Sequence, residues 1–178
     1  MTRLFPFTKN TLLGCVACLS LNQAHALDIE IDPLAYALNG HSVHFGFGGN
    51  QYRFDIGTFG LESPEAFHGD ERYDLEFKGY GIKLDYLFGR YDGVFIGVEA
   101  SSSEVEYTLK STNQKATRTQ ISLGPRIGYR IMYNKNITIT PWLGIDLNLD
   151  HDDVDLNGEK FDSQPVSLFP TVHLGWKF

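Results

Sequence analysis

The sequence predicts an all-β protein, an eight-stranded antiparallel up-and-down β-barrel that crosses a membrane and carries one short helix between its first two strands. Three observations predict this fold. Apolar and polar residues alternate with a period of two along most of the chain, which is the period of β-strands. A secretory leader precedes the strands. The connections between strands are alternately short and long, as in membrane-spanning barrels.

The leader occupies residues 1–26. Two basic residues precede the short apolar run TLLGCVACLSL, and Ala24-His25-Ala26 fits the small-x-small pattern before a cleavage site. The apolar run is too short for a spanning helix, which needs about 20 residues. A lipoprotein signal ending at Cys15 is the alternative, but it needs a small residue where Leu13 stands. The predicted organisation is therefore a signal peptide followed by a barrel at 27–178.

Removal of the leader changes the composition of the chain. Cys15 and Cys18 are lost, so the mature chain has no thiol for a disulfide or for a cysteine-ligated metal. Arg3 and Lys9 are lost as well, and the formal net charge falls from −7 to −9. This acidity argues against nucleic acid as a partner. No cofactor is expected.

Eight segments have the alternation of strands. They lie at 27–31, 41–48, 51–60, 74–88, 93–108, 117–132, 136–149 and 165–178. One helix is predicted between the first two, because Asp32 is a good N-cap, Pro33 suits the first turn and Gly40 ends the segment. Short turns join strands at one end of the barrel, and both termini are expected at that end.

The apolar faces of these strands are expected to point outward, into lipid. The apolar set is too large for the lumen of an eight-stranded barrel, which holds on the order of a dozen to twenty side chains. The opposite faces are rich in glycine, which leaves room in a crowded lumen. Outward aromatics gather at the short-turn end, as in an interfacial belt. They are Phe47, Tyr52, Tyr86, Phe88, Tyr129, Tyr133, Trp176 and Phe178.

The glycine-rich faces also carry acids and bases in nearly equal numbers. Buried charges are tolerated only when they are paired, so we expect a closed, filled lumen with a network of salt bridges. Its members are Asp28, Glu30, His44, Arg53, Asp55, Lys83, Asp85, Glu99, Arg126, Arg130, Asp146, His173 and Lys177.

The leader, the strands, the unequal connections and the ending Trp176-Lys177-Phe178 resemble the small eight-stranded outer-membrane β-barrel proteins of Gram-negative bacteria. The resemblance implies that Trp176 and Phe178 form the assembly signal read by the barrel-assembly machinery. It also implies a location in the cell outer membrane, contact with membrane lipid and lipopolysaccharide, transit with periplasmic chaperones, and a monomeric state. It implies no particular activity, because a fold does not fix a function.

Two pairs of lumen residues are weak catalytic candidates. Ser42 and His44 share one strand face, and Thr171 and His173 share another. With Asp55, Asp85 or Glu99 nearby they allow a hydroxyl–His–carboxylate set, and some proteins in the resembled family are lipid A acyltransferases or deacylases. No complete motif matches, so a hydrogen-bonded network is the favoured interpretation.

Three prolines interrupt consecutive strands at Pro125, Pro141 and Pro170. Each removes a ladder donor, and a closed barrel has no edge to accommodate it. Local bulges that add curvature are the favoured explanation. The alternative is a weakened seam that admits lipid laterally to the lumen.

The long connection near 150–164 contains Asn157-Gly158, which predicts a type I′ hairpin. Asp153, Asp155 and Asn157 also match the start of a calcium loop, but Gln164 stands where a bidentate Glu belongs, so metal binding is the lesser alternative. The connection at 61–73 is expected to be a solvated surface loop.

The function predicted from the sequence is structural or interactional, because so narrow a barrel is no solute pore. A lipid A-modifying enzyme that uses a lumen histidine is the first alternative. A secreted lipocalin-like carrier, with the two strand faces reversed, is the second.

Overall fold

The computed structural model describes residues 26–49, 51–89, 91–150 and 152–178, and eight of its strands form a closed antiparallel ring. The ring consists of β1 (Ala26–Ile31), β2 (His41–Gly49), β3 (Tyr52–Ser63), β4 (Tyr73–Leu87), β5 (Gly93–Leu109), β6 (Gln114–Met132), β7 (Ile137–Asn148) and β10 (Val166–Lys177). Each strand pairs with its neighbours in sequence, and β1 closes the ring against β10. The predicted fold class is confirmed.

The predicted leader lies outside the described residues, apart from Ala26 at the start of β1. Within the described part of the chain, no helix is long and apolar enough to cross a membrane.

The predicted helix is present as α1 (Pro33–Ala37). Asp32 caps it, and its Oδ1 accepts a hydrogen bond from the Leu34 N–H at 2.9 Å. A second helix, α2 (Glu65–His68), lies in the connection that the sequence analysis treated as a loop. Four residues are too few to produce a helical period in the sequence, so this element gave no pattern to detect.

The predicted hairpin is also present, as β8 (Val154–Leu156) and β9 (Glu159–Phe161). Asn157 and Gly158 both have positive φ, 56° and 81°, which a type I′ turn requires. The hairpin packs on the long-connection ends of β4 and β5, where it forms an apolar cluster. The buried members are Tyr73, Leu75, Val105, Tyr107, Leu109, Val154 and Phe161.

β1 is much shorter than the strand it closes against. It pairs with β10 only at Leu174–Lys177, whereas β10 pairs with β7 from Val166 to Trp176. Among the described residues, no strand pairs with the other side of β10 between Val166 and His173. We call this stretch the free edge of β10. The segment containing α1 leaves the ring here and packs against β10, β2 and β3.

The three prolines have two different settings. Around Pro125 and Pro141 the β6–β7 ladder is interrupted and then resumes in the same register, so no residue is inserted and the predicted bulges are wrong. Pro170 lies on the free edge of β10, where its missing N–H removes no ladder bond. The short first strand therefore supplies the edge that a fully closed barrel lacks.

Candidate functional site

The outer wall of the ring is apolar. The alternating apolar residues point outward on every barrel strand, and Tyr80, Tyr133 and Leu168 are each more than 60% exposed. Phe47 stacks on Phe54 with ring centroids 5.3 Å apart, so part of the predicted aromatic belt forms contacts along the wall. The lipocalin-like alternative required the apolar faces to point inward, and the structure excludes that arrangement.

The lumen contains a network of buried charges centred on β1. Glu30 Oε1 accepts from Arg130 Nη1 at 2.7 Å, and Glu30 Oε2 lies 3.1 Å from Arg53 Nη2. Asp28 binds the same two guanidinium groups, at 2.6 Å from Arg53 and 2.9 Å from Arg130. Because Arg53 belongs to β3 and Arg130 to β6, the two side chains reach β1 from both sides of the lumen.

The network continues through Asp55, which is fully buried. Its carboxylate lies 3.0 Å from Arg53 Nη2, 3.4 Å from Lys83 Nζ and 2.9 Å from His44 Nδ1. Arg126 adds a looser branch, with its guanidinium 3.5 Å from Asp85 and 4.0 Å from Glu99. The buried bases of β3, β4 and β6 thus each lie within 4.0 Å of at least one carboxylate.

Two predicted members of the network lie at its margins. The Nζ of Lys177 sits 3.6 Å from the ring centroid of Tyr91, which lies in a short turn, and it forms no ion pair with an acid among the described residues. Asp146 is half-buried and lines a cavity that lies nearer the long connections and is described below.

Glycine makes room for this network at positions of close approach. Gly57, on β3, lies directly beside the imidazole ring of His44, and a Cβ there would overlap the ring. Its ladder partner on β4, Gly81, has more space, since the nearest atom to a Cβ would be the Ala100 carbonyl oxygen at 3.3 Å.

The two lumen histidines lie side by side, but neither forms the hydroxyl–His pair that the sequence allowed. Ser42 Oγ accepts the backbone N–H of Asp32 at 3.2 Å. The His44 and His173 rings are 4.8 Å apart, and His173 Nδ1 lies 3.2 Å from Glu30 Oε2. Among the described residues, no hydrogen bond joins Ser42 to His44 or Thr171 to His173. Both rings are held within the charge network.

Above the network, toward the long connections, lies a cavity of about 220 Å³ that the sequence analysis missed. Its floor includes Trp142, Lys83 and Glu99, and its walls are mainly apolar and aromatic. The wall residues include Phe59, Leu75, Phe77, Tyr107, Phe161 and Phe169. Most of them occupy inward positions of their strands, so the alternation along the strands identifies them as residues that face the lumen. The sequence analysis counted only the charges and glycines on that face.

The carboxylates of the possible calcium loop form hydrogen bonds and ion pairs within the hairpin. Asp155 Oδ1 accepts the Gly158 N–H at 2.9 Å, and Asp153 Oδ2 lies 2.6 Å from Lys160 Nζ. No group of three or more metal-binding side chains occurs among the described residues.

Arg72 fastens the neighbouring connection to this hairpin. Its guanidinium donates to the Lys160 carbonyl at 2.8 Å and to Asp70 Oδ2 at 2.6 Å. The bond to Arg72 holds the pKa of the Asp70 carboxyl below its usual range.

Comparison with known proteins agrees with this architecture. No protein-family model and no curated protein matches the chain. Among solved structures, Neisserial surface protein A aligns with a TM-score of 0.53 and 14% identity, covering 86% of this chain and 91% of that one. The N-terminal β-barrel domain of Pseudomonas aeruginosa OprF aligns with a TM-score of 0.50 and 9% identity, covering 86% and 96%. The chain therefore has the fold of the small eight-stranded outer-membrane β-barrels.

Proposed function

We propose that this protein is an outer-membrane barrel with a structural or surface-interaction role, and that its charged lumen does not conduct solutes. The observation that carries the proposal is the combination of an apolar outer wall with buried ion pairs inside the ring. Exposing such a wall to water is costly, and lipid is the solvent in which a closed barrel can leave it exposed.

The proposal of a closed lumen rests on side chains that cross it. Arg53 and Arg130 both contact the carboxylates of β1, and they are 7% and 4% exposed. A permeating ion would have to separate these pairs, which costs several kcal/mol for each charge left buried and alone.

The surface role rests on the long-connection end. There β4, β5 and β6 carry the β8–β9 hairpin, and the hairpin is tied down by Tyr73, whose hydroxyl donates to the Glu159 carbonyl at 2.6 Å. A rigid projection of this kind presents a defined polar surface to the outside. Lipopolysaccharide is the partner we expect around it.

Fractionation of the native host tests the location, together with gel electrophoresis of heated and unheated samples. We expect the protein in the outer-membrane fraction and a faster-migrating folded band without heating. Purified protein in planar bilayers should give no steady conductance. Recovery in the soluble periplasmic fraction, or stable single-channel steps, would contradict the proposal.

A lipid A-modifying activity is the second candidate, because His44 is paired with Asp55 in the manner of a base with an orienting carboxylate. Mass spectrometry of lipid A from a deletion strain tests it, with complementation by the wild-type gene and by His44→Asn. An acyl pattern that is the same in all strains removes this candidate.

A further inference from the structure

We propose that the cavity above the charge network binds a single-chain amphiphile, with a hydroxyl-type head group on the cavity floor and its hydrocarbon chain along the aromatic wall. The cavity lies above the ion pairs that fill the lumen and meets them at its floor, where Lys83, Glu99 and His173 belong to both. Its walls are formed by Phe59, Phe77, Tyr107 and Phe169, which favour a hydrocarbon chain over a polar solute.

The floor of the cavity carries unused hydrogen-bonding groups of both kinds. Trp142 is 6% exposed, and among the described residues its Nε1 has no acceptor. Glu99 Oε1 is buried and has no donor. Unsatisfied buried groups are costly, and a ligand that both donates and accepts would relieve both. A hydroxyl group both donates and accepts, which is why we assign the head group to that class.

The size of the cavity suits part of a hydrocarbon chain. Its volume of about 220 Å³ exceeds the roughly 150 Å³ of a dry apolar cavity known to hold benzene in another protein. A chain longer than this space must leave through an opening.

The lining of the cavity indicates where that opening lies. It includes consecutive residues of the free edge of β10, Ser167 to Phe169, and Ala35 of α1 on the other side. Leu168 belongs both to this lining and to the outward apolar wall. We place the opening of the cavity here, beside α1, because among the described residues no strand pairs with this side of β10. The source of the amphiphile is the surrounding membrane, so this part of the inference rests on the proposed membrane location.

The two tryptophans permit a direct test. Trp142 is on the cavity floor and Trp176 is on the outward wall, 49% exposed. Trp176→Phe protein reports Trp142 alone, and Trp142→Phe protein reports Trp176 alone. Each is refolded into phosphatidylcholine vesicles and titrated with 2-bromododecan-1-ol, whose bromine quenches tryptophan on contact. We expect saturable quenching of Trp142, reversed by excess dodecan-1-ol, and quenching of Trp176 that rises with the probe content of the bilayer.

Neighbouring serines on β5 provide the matched control. Ser103 points inward and lines the cavity, whereas Ser102 points outward. In the Trp176→Phe background, Ser103→Phe should fill the cavity and abolish the saturable quenching, and Ser102→Phe should leave it unchanged. If Ser103→Phe fails to fold by the gel shift, Ser101→Leu, also in the lining, replaces it.

The outcomes separate this inference from the proposed function. Trp142 also borders a groove on the outer wall, between Pro141 and Pro170. Quenching of Trp142 that persists in Ser103→Phe protein would mean that the probe arrives from that groove, and it would overturn the inference. Non-saturable or absent quenching of Trp142 would overturn it as well. Absent quenching of Trp176 would instead count against the membrane location.

Discussion

Glu30 is 1% exposed and contacts three side chains of the lumen network, Arg53, Arg130 and His173. Replacing it with alanine leaves two guanidinium groups with fewer counter-charges. We expect Glu30→Ala to lower the free energy of unfolding by about 3–5 kcal/mol, the usual cost of breaking a buried pair. Urea titration followed by the folded-band gel shift measures this. Glu106→Ala, which breaks the exposed pair with Lys115, is the control and should cost about 1 kcal/mol or less.

Gly57 and Gly81 are ladder partners that face the same lumen, yet their surroundings differ. A methyl group at Gly57 would collide with the His44 ring, whereas at Gly81 its nearest contact would be the Ala100 carbonyl oxygen at 3.3 Å. We expect Gly57→Ala to destabilise the barrel by about 1–3 kcal/mol, as overpacking does, and Gly81→Ala to change stability by less than about 1 kcal/mol. If Gly57→Ala and Gly81→Ala lower the stability equally in thermal unfolding, the His44 ring can move aside at little cost, which would contradict this prediction.

Among the elements, the β6–β7 pair is the least continuous of the long ladders. Its pairing is interrupted beside Pro125 and Pro141, while β4 and β5 are paired without a gap from Tyr73 to Leu87. We expect backbone amides of β7 opposite these gaps to exchange hydrogen faster than those of β4. Exchange measured by mass spectrometry or NMR in micelles checks this.

A double substitution separates the prolines from other causes. Pro125→Val with Pro141→Val restores two backbone donors, so exchange in β7 should become slower. Exchange that stays fast would assign the interruption to strand geometry instead.

The elements also show how far the sequence alone could lead. A period of two and strong turn residues are local properties, so the eight strands, the Asp32-capped helix and the Asn157-Gly158 hairpin were predictable. The position of Pro170 on the free edge of β10 was not predictable. It depends on where β1 stops pairing with β10, a strand far away in the sequence. The position of α1 in the gap above β1 is non-local for the same reason.

The candidate site was predictable in part. Alternation and charge balance identified side chains that do meet, such as Asp28 with Arg53 and Glu30 with Arg130. They did not indicate which acid faces which base, because barrel closure sets those partners. The cavity was not predicted because only the charges and glycines of the inward faces were considered, and not inward apolar residues such as Phe59 and Phe77.

At the scale of the whole molecule, the C-terminal aromatic is expected to matter for assembly more than for stability. Phe178 is 66% exposed and lies beyond the end of β10. Phe178→Ala should lower the amount of folded protein in the outer membrane severalfold, while the purified variant refolds in detergent like the wild type. Tyr133→Ala, which removes another outward aromatic from the same end, is the control. If both variants assemble equally well, Phe178 is not the assembly signal.

The short first strand has a mechanical consequence. Its backbone is bonded to β10 over only a few residues, but Asp28 and Glu30 fix it to Arg53 and Arg130 inside the ring. These ionic contacts thus add to the short backbone ladder that holds β1, whereas β10 is held to β7 by a long backbone ladder. Under force, a chain pulled from its N-terminus should resist and then yield abruptly when those charges separate. The same chain pulled from its C-terminus should lose its backbone hydrogen bonds one after another. The barrel should therefore unfold abruptly from its N-terminal end and gradually from its C-terminal end.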